Sequence, residues 1–293
     1  MMEAFLSQYV DAYYLRIMVI IGINIMLALG LNLITGVTGQ LSMGHAGFMS
    51  IGAYTAAILT LQFGLPFGVA LTSGALMAGF FGFIIGIPTL RLEGDYLAMV
   101  TIGFAEIIRV FFLNFELGGK ATGLYGMTQY TTFSTVWILV IIIIILNAKL
   151  LKSRYGRAFY AIRENEIAAE ASGINTTFMK VLVFTIGAFL AGLAGGLYAH
   201  YMGYIAPQDF GFMKSIEILN MVVLGGMGSI PGAILGSVIL TLAPEMLRIV
   251  ADYRLLFYGA LLVILMMFRP NGLLGDVRIY DIRTRLGKKE VKS

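Results

Sequence analysis

Long apolar runs separated by short polar segments dominate this sequence. Runs of about 18–20 apolar residues recur along the chain, which is the length that an α-helix needs to cross a bilayer. The block Ile138–Leu146 is apolar throughout, whereas a barrel strand would alternate polar and apolar positions. The pattern predicts an all-α fold, a polytopic transmembrane helical bundle of about 8–10 spans that includes short broken helices. The predicted spans are 15–35, 41–62, 67–89, 96–115, 133–151, 181–203, 216–228, 231–248 and 254–268.

Composition supports a membrane protein and excludes other classes. Of the 293 residues, 59% are hydrophobic and 12% are charged, whereas a soluble domain carries about a quarter charged residues. The sequence pI is about 9.2, but the basic residues lie at the edges of predicted spans. We therefore expect them to mark the cytoplasmic side of a protein whose partners include membrane lipid and no nucleic acid. The chain has no cysteine, so it has no thiol chemistry, and no cleaved signal peptide is expected.

One long polar stretch, about 153–180, orients the rest of the chain. Lys and Arg concentrate on the cytoplasmic side of membrane proteins, so this loop and the basic tail are both predicted to be cytoplasmic. Counting spans back from the loop places the N-terminus and segment 116–132 outside. The chain then divides into a transmembrane domain, 1–275, and a cytoplasmic tail, 276–293. The basic residues used are Lys149, Lys152, Arg154, Arg157, Arg163 and Lys180 at the loop, and Arg269, Arg278, Arg283, Arg285, Lys288, Lys289 and Lys292 towards the tail.

The charge of the tail predicts a break in the apolar segment 216–248. A single helix there would leave three crossings between loop and tail, and the tail would lie outside. Two short helices give four crossings and a cytoplasmic tail. The break is predicted at 225–232, Gly-Gly-Met-Gly-Ser-Ile-Pro-Gly, because Gly weakens a helix and Pro removes a backbone donor.

A second glycine-rich break is predicted at Thr35–Gly47. At both breaks a Leu-Asn pair, Leu31-Asn32 or Leu219-Asn220, precedes clustered glycines, a serine and a further helix. The similarity is either an internal structural repeat, which many transporters contain, or a chance likeness between two glycine-rich turns.

Motifs that would carry catalysis are missing from the sequence. There is no G-x-x-x-x-G-K-[ST] phosphate-binding motif, so the chain is not expected to hydrolyse ATP. The two histidines, His45 and His200, are far apart and lack a nearby acidic cluster, so neither a metal site nor a catalytic triad is expected. We predict no enzyme activity, no catalytic residue and no cofactor.

Polar side chains around the second break are the first candidates for function. Gln40, Ser42 and His45 lie beside flexible backbone near the membrane. They either line the path of a zwitterionic solute or stabilise a tight interhelical turn. Asn24 and Asn32, on the preceding span, either face the same interior or link helices through hydrogen bonds.

Glu106 and Arg109 form the only acid–base pair that we find deep within a predicted span. At i and i+3 they share one face of a helix. A lone charge at the bilayer centre costs at least about 2.5–3.5 kcal/mol, so we predict that the two side chains pair and face the interior of the bundle. They are either a structural ion pair or a substrate contact.

The centre of the 153–180 loop is predicted to be a cytoplasmic helix with a polar interruption. Ala158, Ile162 and Ala169 recur at helical spacing, 163–166 is Arg-Glu-Asn-Glu, and Gly173 ends the pattern, as glycine commonly does. This helix is either a solvated surface or a helix–turn–helix that docks into the groove of a partner.

Several segments, in matching order from about residue 16 to 275, together resemble the M-type permease subunit of branched-chain amino-acid ABC importers. Related permeases carry urea, short-chain amides and other amino acids. The segments are TGVTGQLSMGHAGFMSIGAYTAA, FAEIIRVFFLN, ATGLYGM, YGRAFYAIRENEIAAEASGI, VVLGGMGSIPGAILG and FRPNGLLG.

This resemblance implies a non-catalytic, multi-pass subunit of a bacterial or archaeal inner membrane that moves branched-chain or other hydrophobic amino acids by alternating access. Its implied partners are an H-type permease, two cytoplasmic ATPases and an external substrate-binding protein. The alternative substrates are urea and short-chain amides. A self-contained channel or secondary transporter is the rival class, and it would carry flux without ATPase subunits.

The resemblance also implies that Arg154–Asn175 is the coupling loop that contacts the ATPases. In this chain Glu166, Ala168, Ala169 and Gly173 echo the family's loop motif, but the usual contiguous Glu-Ala-Ala and the Leu-Pro ending are not kept. The residues assigned to coupling are Arg157, Arg163, Glu164, Asn165, Glu166, Ala169 and Gly173.

Overall fold

The computed structural model describes residues 12–89, 94–246, 259, 267 and 272–275, and these confirm an all-α helical bundle. The predicted span at 254–268 and the basic tail lie almost wholly outside the described residues. The two strands that are described contain two residues each and pair as a short antiparallel ribbon.

The helices follow the predicted spans closely, with shifts of a few residues at their ends. Helix α1, Ala12–Leu31, continues as a π-helix at Asn32–Val37. The remaining helices are α2 His45–Leu61, α3 Phe67–Thr89, α4 Asp95–Asn114, α5 Phe133–Lys152, α6 Arg154–Glu164, α7 Glu166–Ala171, α8 Thr176–Met202, α9 Phe212–Gly225 and α10 Ile230–Met246. Strands β1 Leu124–Tyr125 and β2 Tyr204–Ile205 and 3-10 turns at Glu116–Gly118, Lys120–Thr122 and Pro207–Phe210 complete the described structure.

Five helices of the described chain are long and apolar enough to cross a membrane, and two more are apolar but shorter. The most buried of the long ones is Tyr13–Val37, which lies at the centre of the bundle. The other long segments are Phe67–Thr89, Asp95–Asn114, Phe133–Lys152 and Thr176–Met202, and the shorter ones are His45–Leu61 and Ile230–Glu245.

Small residues let α2, α3 and α8 pack with their backbones close together. A Cβ added at Gly52 would meet the backbone of Gly192, and one at Gly192 would meet Ala78. A Cβ added at Gly82 would meet Ala188. Lipid tails are as apolar as the side chains of these helices, so the hydrophobic effect does not drive the helices together. Close packing of this kind is therefore a principal source of helix association in membranes. Many of the 36 glycines therefore serve helix packing.

Helices α9 and α10 form an antiparallel hairpin, which confirms the predicted break. A Cβ on Gly225 would meet the backbone of Gly232, and one on Gly236 would meet the Met221 carbonyl. The hairpin tip, Gly226–Ser229, lies at the end of the bundle that carries α6 and α7, here called the loop side.

The other end of the bundle carries the β-ribbon, in which Leu124 pairs with Ile205. Tyr13, near the start of α1, donates a hydrogen bond to Glu245 near the end of α10. The first turn of α1 and the last turn of α10 therefore lie together, away from the hairpin tip.

Candidate functional site

The π-helical end of α1, the hairpin tip and helix α6 meet at one point on the loop side, here called the junction and defined by Asn32, Gly36, Arg163 and Gly228. The Gly228 amide donates to Asn32 Oδ1 at 2.8 Å. Asn32 Nδ2 donates in turn to the Ser229 carbonyl at 3.4 Å. One carboxamide thus binds the amide of one tip residue and the carbonyl of the next, although nearly 200 residues separate the two segments.

Arg163 connects the polar loop to this junction. Its Nη1 donates to the Gly36 carbonyl at 2.5 Å, and a Cβ added at Gly39 would lie 3.4 Å from its Cγ. Tyr160, one turn earlier on α6, donates a long hydrogen bond of 3.4 Å to the Gly228 carbonyl. Helix α6 therefore contacts both of the breaks that the sequence predicts.

Glycine is required at the junction for space and for backbone conformation. Gly228 has φ +88°, which side chains rarely tolerate, and a Cβ there would lie 2.6 Å from Arg163 Nη1. A Cβ at Gly36 would meet Asn32 Oδ1 and the Gly228 amide. A methyl group at either position would separate the three segments.

The segment at 272–275 also binds to the hairpin. The Leu273 amide donates to the Leu224 carbonyl at 2.9 Å, and the Leu274 amide donates to the Gly225 carbonyl at 3.0 Å. These two bonds satisfy carbonyls that the end of α9 would otherwise leave without partners. They also place 272–275 on the loop side.

The turn between the π-helix and α2 buries the three polar residues predicted there. Gln40 is 6% exposed, and Ser42 and His45 are fully buried. None of their side-chain polar atoms has a hydrogen bond of good geometry, although the Leu27 carbonyl lies near enough to His45 to interact with its ring. Unsatisfied buried polar groups are rare, and they are tolerated where function requires them or where water enters.

Backbone amides at the start of α2 donate hydrogen bonds to side chains of two neighbouring helices, α4 and α9. The Met43 amide donates to Thr101 Oγ1 at 3.0 Å, and the Ala46 amide donates to Ser215 Oγ at 3.2 Å. The start of α2 therefore lies beside the first half of α4 and the first turn of α9. Part of the turn's backbone is satisfied in this way, in accord with the interhelical alternative.

Asn24 lies away from the junction and links α1 to α10. Its Nδ2 donates to Thr241 Oγ1 at 2.9 Å, and its carbonyl accepts from Ser237 Oγ at 3.4 Å. Asn24 and Asn32 both make the interhelical hydrogen bonds that the sequence offered as one reading, but only Asn32 contacts a break.

Glu106 and Arg109 form the predicted ion pair, with 2.7 Å between Oε2 and Nε. The expectation that they face the interior of the bundle is wrong. Their side chains are 37% and 30% exposed, respectively, because they lie at the edge of the buried side of α4, where Arg109 Cδ approaches Gly211 at the start of α9. The buried side of α4 carries Thr101, Ala105 and Ile108 instead.

The predicted helix–turn–helix is present in the 153–180 loop, and the structure gives its residues different positions. Asn165 interrupts the helix and caps α7 by accepting from the Ala168 amide at 2.9 Å. Gly173, at φ +83°, ends α7 in the left-handed conformation. Ala169 is buried, whereas Arg157 and Glu164 are exposed. Glu166 pairs with Lys180, whose side chain is 9% exposed.

Sequence reasoning missed two features, an exposed apolar surface on the polar loop and an ion pair on α9. Ile167 is 81% exposed, and Phe178 is 55% exposed on the same loop; an isolated apolar residue among charges was the signal for Ile167. Lys214 and Glu217 form an ion pair of 3.0 Å on α9, with side chains 20% and 39% exposed. Their i, i+3 spacing inside an apolar segment is the signal that identified the pair on α4.

No group of three or more His, Asp or Glu residues suitable for a metal ion occurs in the part of the chain that the structure describes. His45 and His200 lie apart, and His200 is bound to the Gly196 carbonyl and to Thr60 Oγ1, each at 2.9 Å. The polar groups at the junction are amides, carbonyls and one guanidinium. Such groups can hold neighbouring helices together through hydrogen bonds and can change hydrogen-bond partners when the helices move.

A helical membrane protein with broken helices joined beneath a polar loop has the architecture of a transport protein. Comparison with known families agrees: the model described as branched-chain amino acid transport system / permease component matches residues 13–266. The chain belongs to this family of permeases. No solved structure matches it.

Curated relatives include two bacterial proteins called high-affinity branched-chain amino acid transport system permease protein LivM, from Escherichia coli and Salmonella typhimurium. Each is 38% identical over 266 residues, which is 79% of this chain and 63% of the relative. The Escherichia coli LivH permease is 34% identical over 155 residues, 52% of this chain and 50% of the relative. The chain thus spans less than two thirds of the length of these relatives and resembles the M-type more extensively.

Proposed function

We propose that this chain is the M-type permease subunit of an ATP-driven importer that moves branched-chain amino acids across the inner membrane by alternating access. Its partners are an H-type permease, two cytoplasmic ATPases and an external substrate-binding protein. The transport system to which the LivM and LivH relatives belong supports the substrate and the second permease. The loop side and the C-terminus are cytoplasmic in this proposal.

The observation that carries the proposal is the junction. The polar loop is exposed, so a partner can bind it. Arg163 of this loop donates a hydrogen bond to Gly36 in the π-helical end of α1. The same helix contacts the hairpin tip at Gly228. A force applied to the loop therefore acts directly on both broken helices, and irregular backbone at membrane depth is where transporters commonly place solute sites.

Helix α7 is the part of the loop that presents itself to the ATPases. Ile167 projects from it, while Ala169 is buried and the Glu166–Lys180 ion pair ties α7 to α8. Coupling requires the loop to contact the two nucleotide states of the ATPases differently. In this scheme Ile167 and the exposed charges Arg157 and Glu164 contact the ATPase, while Arg163 transmits its movement inward.

The test is uptake of labelled leucine by the full complex in proteoliposomes, with the binding protein outside and ATP inside. Uptake should require ATP and every subunit. Liposomes that contain this chain alone should show no flux, because flux there would identify a self-contained channel or secondary transporter. If the complex imports urea or acetamide but not leucine, its substrate is urea or a short-chain amide and not a branched-chain amino acid.

A further inference from the structure

Two ion pairs lie on the partly exposed sides of neighbouring helices, α4 and α9. Glu106 and Arg109 are joined on α4 at 2.7 Å, and Lys214 and Glu217 are joined on α9 at 3.0 Å. The two helices approach where α9 begins, because a Cβ added at Gly211 would lie 3.8 Å from Arg109 Cδ.

The polar residues of α9 form a single line. Lys214, Glu217 and Asn220 follow one another at intervals of three, and all three are partly exposed. The opposite side of the helix is buried and packs against the bundle through Ser215, Ile218, Leu219 and Val222. The line continues towards the hairpin tip. The five residues Glu106, Arg109, Lys214, Glu217 and Asn220 are here called the polar stripe.

The polar stripe lies deep in the membrane-spanning part of the chain. Glu106 is eight residues from the end of α4 at Asn114 and eleven from its start at Asp95, or roughly 12 and 16 Å at 1.5 Å per residue. Ser215, between the two charges of α9, binds the Ala46 amide at the start of α2. Both ion pairs therefore lie well inside the bilayer.

A lipid-facing position for this stripe is unfavourable. A charged side chain at the bilayer centre costs about 2.5–3.5 kcal/mol or more, and such residues almost always face protein or a water-filled cavity. Partial exposure of four charges on an outer face of the subunit therefore marks the face that turns towards water and not towards lipid. In the proposed two-permease complex, we place this face against a water-filled cavity between the subunits.

We propose that the polar stripe lines the translocation path and is a binding site for the zwitterionic backbone of an α-amino acid. Arg109 and Lys214 offer cations to the carboxylate, and Glu106 and Glu217 offer carboxylates to the ammonium group. The charged groups of the solute would take the place of one partner in each existing ion pair, and that partner would return when the solute leaves. Binding therefore stays weak enough for release, as conduction requires. This assignment rests on the proposed permease function and adds its residues and ligand class.

Cysteine accessibility tests where the stripe faces. The natural chain has no cysteine, so Asn220→Cys introduces the sole thiol of this subunit. In the assembled complex a charged, water-soluble methanethiosulfonate should modify it, and leucine with the binding protein should slow the modification several-fold. The matched control is Leu76→Cys on α3, whose side chain is 64% exposed and should stay unreactive in lipid. Equal rates at both positions, or no effect of leucine, would overturn the proposal.

Ligand analogues and charge variants test the chemistry. Leucine should protect Asn220→Cys, whereas leucinamide and 4-methylpentanoate, which each lack one charge, should protect it poorly. Equal protection by all three would exclude zwitterion recognition.

Lys214→Met should lower leucine uptake about tenfold or more, because a charge-assisted contact is lost. Lys214→Arg should retain most of the uptake. The control Lys120→Met removes an ion pair of similar length in an exposed segment and should leave uptake unchanged.

Failure of this proposal is distinguishable from failure of the proposed function. If the natural complex imports leucine with ATP and the Lys214→Met complex assembles and imports equally well, the permease role stands and the stripe does not. If the natural complex imports no leucine, the proposed function fails regardless of the labelling at Asn220→Cys.

Discussion

The guanidinium of Arg163 donates to the carbonyl oxygen of Gly36 at 2.5 Å, across 127 residues of sequence. The donor belongs to the polar loop, and the acceptor belongs to the π-helical end of the most buried helix. This bond connects a surface that a partner can contact with the interior of the bundle. The proposed coupling role of Arg163 can be tested by substitution.

Arg163→Met should uncouple transport from ATP hydrolysis. A hydrogen bond to a charged group contributes about 1.5–3 kcal/mol, so its loss should lower leucine uptake by roughly tenfold or more while ATPase activity of the complex persists. Arg163→Lys keeps the positive charge but not the planar guanidinium. Leucine uptake by this variant should therefore lie between that of the natural complex and that of Arg163→Met. Lys152→Met, at an exposed basic position at the end of α5, is the control. Uptake that remains tightly linked to hydrolysis in Arg163→Met would refute a coupling role.

Gly228→Ala should destabilise the subunit by about 1–3 kcal/mol, since it forces a side chain into a left-handed conformation and towards Arg163 Nη1. The expected readout is a lower midpoint of thermal unfolding for the purified protein in detergent. Gly103→Ala is the matched control, because a Cβ there meets nothing within 4 Å and alanine favours a helix. Equal midpoints for the two variants would show that the tip tolerates a side chain.

Ile167→Glu should weaken docking of the ATPases without unfolding the permease. The side chain is 81% exposed, so little packing is lost within this chain, whereas an apolar anchor at an interface is replaced by a charge. Co-purification of the ATPases should decrease at least several-fold, with an unchanged unfolding midpoint. Tyr125→Glu changes a residue that is 73% exposed at the opposite end of the bundle, and it should leave co-purification intact. Normal recovery of ATPases with Ile167→Glu would exclude this contact.

The proposed orientation predicts opposite labelling of the two ends of the bundle. Met227→Cys, at a 39% exposed position in the hairpin tip, should react with an impermeant thiol reagent only from the cytoplasmic side. Tyr125→Cys, on the β-ribbon, should react from outside. The natural chain provides a thiol-free background. Reaction of both variants from the same side, or the reverse pattern, would overturn the assignment of sides.

Local features of the sequence were sufficient for the helices. An apolar run of a given length needs a helix to satisfy its backbone in lipid, so the span predicted at 67–89 is observed at Phe67–Thr89. The break at 225–232 also followed from local chemistry together with the distribution of charge. The cap of α7 and its end near Gly173 depend on neighbouring residues in the chain, and they too were within reach of sequence reasoning.

The candidate site was only partly accessible from the sequence. Arg163, Asn32 and the glycines of both breaks were singled out, but nothing local indicates that Asn32 binds Gly228 or that Arg163 reaches Gly36. The outward position of Glu106 and Arg109 was also missed, because the cost of an intramembrane charge predicts a partner without specifying which side of α4 faces the bundle.

By itself, the sequence determined the helical membrane class, the spans, the two breaks and the polar loop, because each depends on the length and composition of a continuous segment. The tertiary structure decided which segments meet. Glycines allow the π-helical end of α1, the hairpin tip and α6 to approach within hydrogen-bonding distance, although 68 to 196 residues separate the bonded positions in sequence. Such contacts depend on the packing of whole helices, which brings the loop, the two breaks and the polar stripe into one bundle.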